Sequence, residues 1–147
     1  MQTEIITRSP AETEALGARL AAHLTENGRR RAFIAFFGEM GVGKTAFVRG
    51  FAEALGTRAT RSPTYTVVNE YRTAGLPIFH FDLYRIADAD ELYAIGFDDY
   101  LAREGYCLCE WSENGDGMLP DDRISVTISR VPGEDESRRI RLEGVTL

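Results

Sequence analysis

Lysine is almost missing from this chain. Of 17 basic residues sixteen are arginine, and the single lysine is Lys44, set between Gly43 and Thr45. An Asn-Lys-x-Asp motif, by which proteins read a guanine base, therefore has no place to lie. Basic charge is also short overall. The 23 acidic residues against 17 basic ones leave a net charge of −6, whereas a chain that grips nucleic acid by itself carries a basic face. The densest clusters, Arg29-Arg30-Arg31 and Arg138-Arg139 with Arg141, are brief and read as solvated charge beside strand starts. If RNA lies in the pathway, another protein holds it, and no direct stable RNA binding by this chain alone is expected. Cysteine is scarce too. Cys107 and Cys109 are two residues apart, so on a strand they share a face, where a mutual disulfide has poor geometry. Two ligands do not make a zinc site. They read as small buried hydrophobes in a reducing cytosol. No apolar run approaches the ~20 residues needed to cross a bilayer, and Met1-Gln2-Thr3-Glu4 opens without the hydrophobic segment of a secretory signal. No membrane association is expected. Repeats, linkers and low-complexity tracts are absent as well. The 147 residues read as one domain over residues 1–147, long enough to bury roughly 68–70% of the unfolded surface.

What is present is concentrated in Gly38-Glu39-Met40-Gly41-Val42-Gly43-Lys44-Thr45. It fits G-x-x-x-x-G-K-[ST], the phosphate-binding P-loop. An apolar run, Ala32 to Phe37, precedes it and a helical pattern, Thr45 to Leu55, follows. That is the strand–loop–helix context the motif requires. The glycines let backbone N–H groups converge on phosphate oxygens, and the helix N-terminus adds partial positive charge. Lys44 reaches the β- and γ-phosphates, the Thr45 hydroxyl can ligate Mg²⁺, and Ala46 continues the cradle into the helix. A chain that uses arginine almost everywhere keeps lysine where a compact ammonium suits the site better than a planar fork.

The remaining pattern is that of an α/β protein. Ser9-Pro10-Ala11-Glu12 is a helix start, with Ser as cap, Pro in the first turn and Glu at the capping-box position. Leu16, Leu20 and Leu24 then form one stripe up to Gly28. Val67 to Arg72, a Thr73-Ala74-Gly75 turn and Pro77 to Phe81 predict a hairpin. Short helices follow over Asp88 to Ile95 and Phe97 to Arg103, and Tyr106 to Cys109 reads as a buried strand. Ile124, Val126 and Ile128 alternate with polar residues, a loop spans Val131 to Ser137, and Arg139 to Leu142 alternates again. The expected architecture is a P-loop NTPase-like domain: a central mixed sheet flanked by helices, with a C-terminal antiparallel strand pair.

Two acids close buried strands, Asp82 after Ile78-Phe79-His80-Phe81 and Glu110 after Cys109. Ligands in open α/β sheets gather at the carboxyl ends of the strands, and a P-loop protein places its metal-holding carboxylate there. Asp82 and Glu110 are thus read as a pair around Mg²⁺. His80 is read as a core or sheet-face histidine. Ser62-Pro63-Thr64 is either an ordinary turn or a rigid contact to Mg²⁺ or the γ-phosphate. With no guanine-reading motif, and with Arg85 where a D-x-x-G switch beginning at Asp82 would need glycine, ATP is the expected nucleotide. A small-molecule kinase and a nucleotide-dependent binding module without turnover remain as alternatives.

The P-loop, Ser62-Pro63-Thr64-Tyr65-Thr66, His80-Phe81-Asp82-Leu83-Tyr84-Arg85, Glu110-Trp111 and Leu119-Pro120 together resemble the TsaE (YjeE) family of bacterial ATPases. The resemblance runs from the first helix to Pro120 and implies a small cytoplasmic ATPase. Such proteins act with TsaB and TsaD in placing threonylcarbamoyladenosine beside the anticodon of tRNAs that read codons beginning with A. It implies that the protein binds the TsaB–TsaD complex and hydrolyses ATP to reset it, weakly when alone. Carried over by motif, Gly38 to Thr45 wrap the phosphates, Thr45 and Glu110 ligate Mg²⁺, and Asp82 lies in its outer shell or orients the attacking water. Thr64 belongs to the γ-phosphate side, and Trp111 packs beside the site. No arginine stands out as a finger, so low intrinsic turnover is expected.

Overall fold

A computed structural model describes residues 2–38, 43–58, 67–115 and 117–147. Along the chain run β1 (Gln2–Thr7), α1 (Pro10–Glu26), β2 (Arg31–Phe37), α2 (Lys44–Ala54), β3 (Val68–Tyr71) and β4 (Ile78–Asp82). Then come α3 (Ala89–Ala94), α4 (Phe97–Ala102), β5 (Gly105–Glu110), a 3-10 turn (Ser112–Gly115), β6 (Ile124–Val131) and β7 (Glu134–Glu143). The seven strands form one sheet in the order β1-β7-β6-β2-β5-β4-β3. Its middle four, β6, β2, β5 and β4, are parallel. Antiparallel pairs flank them, β3 on one side and β7 with β1 on the other. The fold is the expected α/β one, with a mixed sheet and helices on both faces.

Burial explains why the central strands are legible as apolar runs. Both faces of a parallel sheet are covered, so residues pointing either way are hydrophobic. Ile34 and Phe36 of β2, Ile78 of β4 and Leu108 of β5 pack beneath α1 and α2, against Leu16, Leu20, Phe47 and Phe51. The alternate residues, Phe33, Ala35, Phe79, Phe81, Cys107 and Cys109, face Leu92 of α3 and Phe97 of α4. The two cysteines share that face as free, buried thiols. Burial pushes Cys107 up from the ordinary 9.0 to about 12.

The first helix starts as its sequence requires. Ser9 Oγ accepts from the Glu12 N–H at 3.2 Å, satisfying one orphan donor of the first turn, and Glu12 Oε1 reaches back one residue beyond the cap to accept from the Arg8 N–H at 2.9 Å. α1 lies against α2 at unusually close range. A Cβ on Gly50 would stand 1.9 Å from the Glu14 carbonyl oxygen, and one on Gly17 would stand 2.2 Å from that of Phe47. Only glycine allows the two backbones to meet there.

Two details differ from the sequence reading. The segment Gln2–Thr7 is a strand, held by an antiparallel ladder to β7, although it contributes only Ile5 and Ile6 as an apolar signal. The loop expected over Val131 to Ser137 is a tight hairpin instead. β6 continues to Val131, β7 begins at Glu134, and Gly133 turns with φ of +80°. Glu134, Asp135 and Glu136 in succession face water and carry no alternation to read, and only Ser137 turns inward. β6 also joins β2 in parallel, so the C-terminal pair extends the central sheet.

Candidate functional site

The carboxyl ends of β2, β4 and β5 meet the start of α2. β2 closes at Phe37, and Gly38 follows with φ of +132°. Gly43 caps α2 with φ of +114°. Both values lie where glycine is favoured, which is why the motif fixes that residue type at each position. Lys44 opens α2 with its side chain buried. Its Nζ donates to the Gly38 carbonyl oxygen at 3.1 Å and lies 4.6 Å from the centre of the Trp111 ring. Thr45 is exposed in the first turn, and Ala46 is buried toward the sheet. Glu39, Met40, Gly41 and Val42 of the P-loop, and Thr64 with the rest of Ser62 to Thr66, lie outside the described residues.

The two expected carboxylates come together. Asp82 and Glu110 are register partners on adjacent parallel strands, so their side chains leave the same face at the same level. Ile78 and Leu108 share that parity and lie under α2, which places both acids on the side of Lys44. Asp82 is buried, and its Oδ1 accepts from the Tyr84 N–H at 2.9 Å. The loops beyond the two strands are tied to each other. The Leu83 N–H donates to the Glu110 carbonyl at 3.1 Å and Asn114 Nδ2 donates to the Leu83 carbonyl at 2.8 Å, while Ser112 Oγ closes the turn after β5 on itself by donating to the Cys109 carbonyl at 2.7 Å.

His80 occupies the sheet-face position read from the sequence. It does more there than fill space. Its Nε2 donates to Glu110 Oε2 at 2.6 Å, with the ring only 4% exposed. The spacing His80-x-Asp82 hinted at a shared face, but contact with Glu110 depends on strand pairing across thirty residues. Trp111 was placed beside the site by motif and packs there, between Lys44 and Tyr84, whose ring centre is 5.0 Å away. Its φ of +56° and that of Val67, +69°, are uncommon for residues with side chains. Such backbone strain gathers at functional sites, and these two residues flank the acids.

Among the described residues no group of three or more His, Cys, Asp or Glu is arranged to hold a metal. Magnesium is ordinarily bound by one or two carboxylates together with substrate phosphates and water. Asp82, Glu110 and the Thr45 hydroxyl are the oxygen groups here that could join such a set. A separate cavity of about 550 Å³, lined by Thr25, Leu55, Gly75 and Tyr106 among others, opens at the strand-start end of the sheet, away from the acids.

Comparisons with known proteins place the chain in a family. The family model for "Threonylcarbamoyl adenosine biosynthesis protein TsaE" matches residues 7–140. The tRNA threonylcarbamoyladenosine biosynthesis protein TsaE of Haemophilus influenzae is 41% identical over 128 residues, covering 86% of this chain and 79% of that protein. Its namesake in Bacillus subtilis is 40% identical over 131 residues, covering 88% and 78%. A crystal structure of Bacillus subtilis YdiB superposes with a TM-score of 0.78 at 33% identity, covering 97% of this chain and 84% of that one. On the extent of these matches, the chain belongs to the TsaE family of threonylcarbamoyladenosine biosynthesis proteins.

Proposed function

We propose that this protein is a Mg²⁺-dependent ATPase that serves tRNA threonylcarbamoyladenosine formation by acting on a TsaB–TsaD complex. The observation that carries the reading is the placement of Asp82 and Glu110 side by side at strand ends, on the face where Lys44 begins α2. Gly38 to Ala46 form the phosphate cradle, and Lys44 offsets phosphate charge. Thr45 and Glu110 hold Mg²⁺, while Asp82 stands in its outer shell or orients the attacking water. When bound, the ion supplies charge neutralisation on the β- and γ-phosphates. Thr64 belongs to the γ-phosphate side.

Phosphoryl transfer asks a protein mainly for positioning and charge stabilisation. Low turnover alone follows when a partner must complete the site. A net charge of −6 fits a helper that leaves tRNA to its partners. The free cysteines, and the lack among the described residues of a helix long and apolar enough to cross a membrane, are compatible with a cytoplasmic protein working as one domain.

The test is phosphate release from ATP, measured with and without TsaB and TsaD from the same source. Slow release alone and faster release with both proteins is the expected result. Label passing from ATP to a small metabolite, or no release under either condition, would contradict it.

A further inference from the structure

We propose that His80 is the positioning residue for Glu110 and that Tyr71 sets its ring, so that this pair governs Mg²⁺ affinity. The inference rests on the proposed role of Glu110 as metal ligand and adds residues to which neither motif nor family description gives a task. A carboxylate can only accept, so the 2.6 Å contact fixes the proton on His80 Nε2. The other ring nitrogen, Nδ1, faces the Tyr71 hydroxyl at 3.4 Å. A neutral imidazole protonated on Nε2 has an acceptor at Nδ1, and a phenol can donate to it. The chain Tyr71–His80–Glu110 thus crosses three neighbouring strands, β3, β4 and β5, in one direction.

Burial gives this chain its influence. Glu110 has 15% of its side chain exposed and His80 5%, so a glutamate with several rotatable bonds is held by an inflexible partner in a site with little water. His80 engages Oε2, and the carboxylate offers Oε1 to a metal. Hydrogen bonds to a metal-binding carboxylate orient it, and losing such a partner ordinarily lowers metal affinity or activity by about 10–100-fold. Asp82 does not need the same help, because its own loop N–H holds it.

The experiment is a Mg²⁺ titration of ATP binding by equilibrium methods on the full chain. His80→Phe, which fills the space without a donor, should raise the Mg²⁺ midpoint about 10–100-fold and leave binding of metal-free ATP unchanged. His80→Gln, whose amide nitrogen can replace Nε2, should recover most of the loss. Tyr71→Phe should shift the midpoint in the same direction by less. Glu110→Gln is titrated beside them. If Glu110→Gln shifts the midpoint while folded His80→Phe does not, the positioning role is overturned and the metal reading of Glu110 stands. If Glu110→Gln also changes nothing, both fall. Should His80→Phe not fold, His80→Ala takes its place beside His80→Gln and Tyr71→Phe: wild-type midpoints in both a folded His80→Ala and Tyr71→Phe would overturn the proposal, and so would a His80→Gln no better than His80→Ala.

Discussion

Lys44 is buried among groups that hold its ammonium in place before any phosphate arrives: the Gly38 carbonyl and the face of Trp111. An ammonium over an indole gains about 0.5–2 kcal/mol, well below what a triphosphate offers a buried cation. Lys44→Ala should therefore lower ATP turnover by at least about 10²-fold, in the range for removing one charge-stabilising donor, with the thermal midpoint nearly unchanged. Phosphate release and a melting curve on the same sample check both halves. The cysteines make a different kind of prediction. With its folded value raised from 9.0 to about 12, Cys107 holds its proton in the native state at pH values where the unfolded chain loses it. Its contribution is fully present below pH 9 and declines as pH rises toward 12. Cys107→Ala should flatten the fall in unfolding free energy across that window, and a slope identical to the parent would contradict it.

Between elements, the closest fit is that of α1 on α2. Gly50 lies inside a helix, where alanine would ordinarily add about 1 kcal/mol of stability. Here the new methyl would stand 1.9 Å from a backbone oxygen, and overpacking of this kind costs about 1–3 kcal/mol or more. The clash wins. Gly50→Ala should lower the urea midpoint and, by displacing α2, weaken ATP binding, whereas a raised midpoint would mean that the helices are not in contact there. None of this is legible in the sequence, since a glycine in a helix does not announce what faces it. α1 itself is legible because Ser9 and Glu12 accept from local N–H groups and Pro10, which has none, stands where a donor would go unpaired. β2, β4 and β5 are legible because burial on both faces writes them as apolar runs. β1 is not, because its place depends on the ladder to β7 rather than on side chains of its own. The residues of the candidate site divide in the same way. Glycine types at 38 and 43 and the acids at strand ends follow from local rules, but the His80–Glu110 bond follows from pairing that no local pattern records.

At the scale of the molecule, the parallel centre of the sheet brings the ends of three strands to one helix N-terminus, and hydrogen bonds join the loops that follow β4 and β5. The −6 net charge and the acids beside Lys44 would oppose a triphosphate, so the proposed reading requires a divalent metal at the site. Should partners assemble on it as proposed, they would meet a site in which Lys44 already contacts Gly38 and Trp111. The most direct test replaces Mg²⁺ with Mn²⁺ and locates it by anomalous diffraction in crystals grown with a non-hydrolysable ATP analogue. The expected result is a single peak among the phosphates, within about 2.0–2.3 Å of a Glu110 oxygen and the Thr45 hydroxyl, with Asp82 no farther than one intervening water. A peak remote from both carboxylates, with Asp82 and Glu110 turned away from the nucleotide, would contradict it.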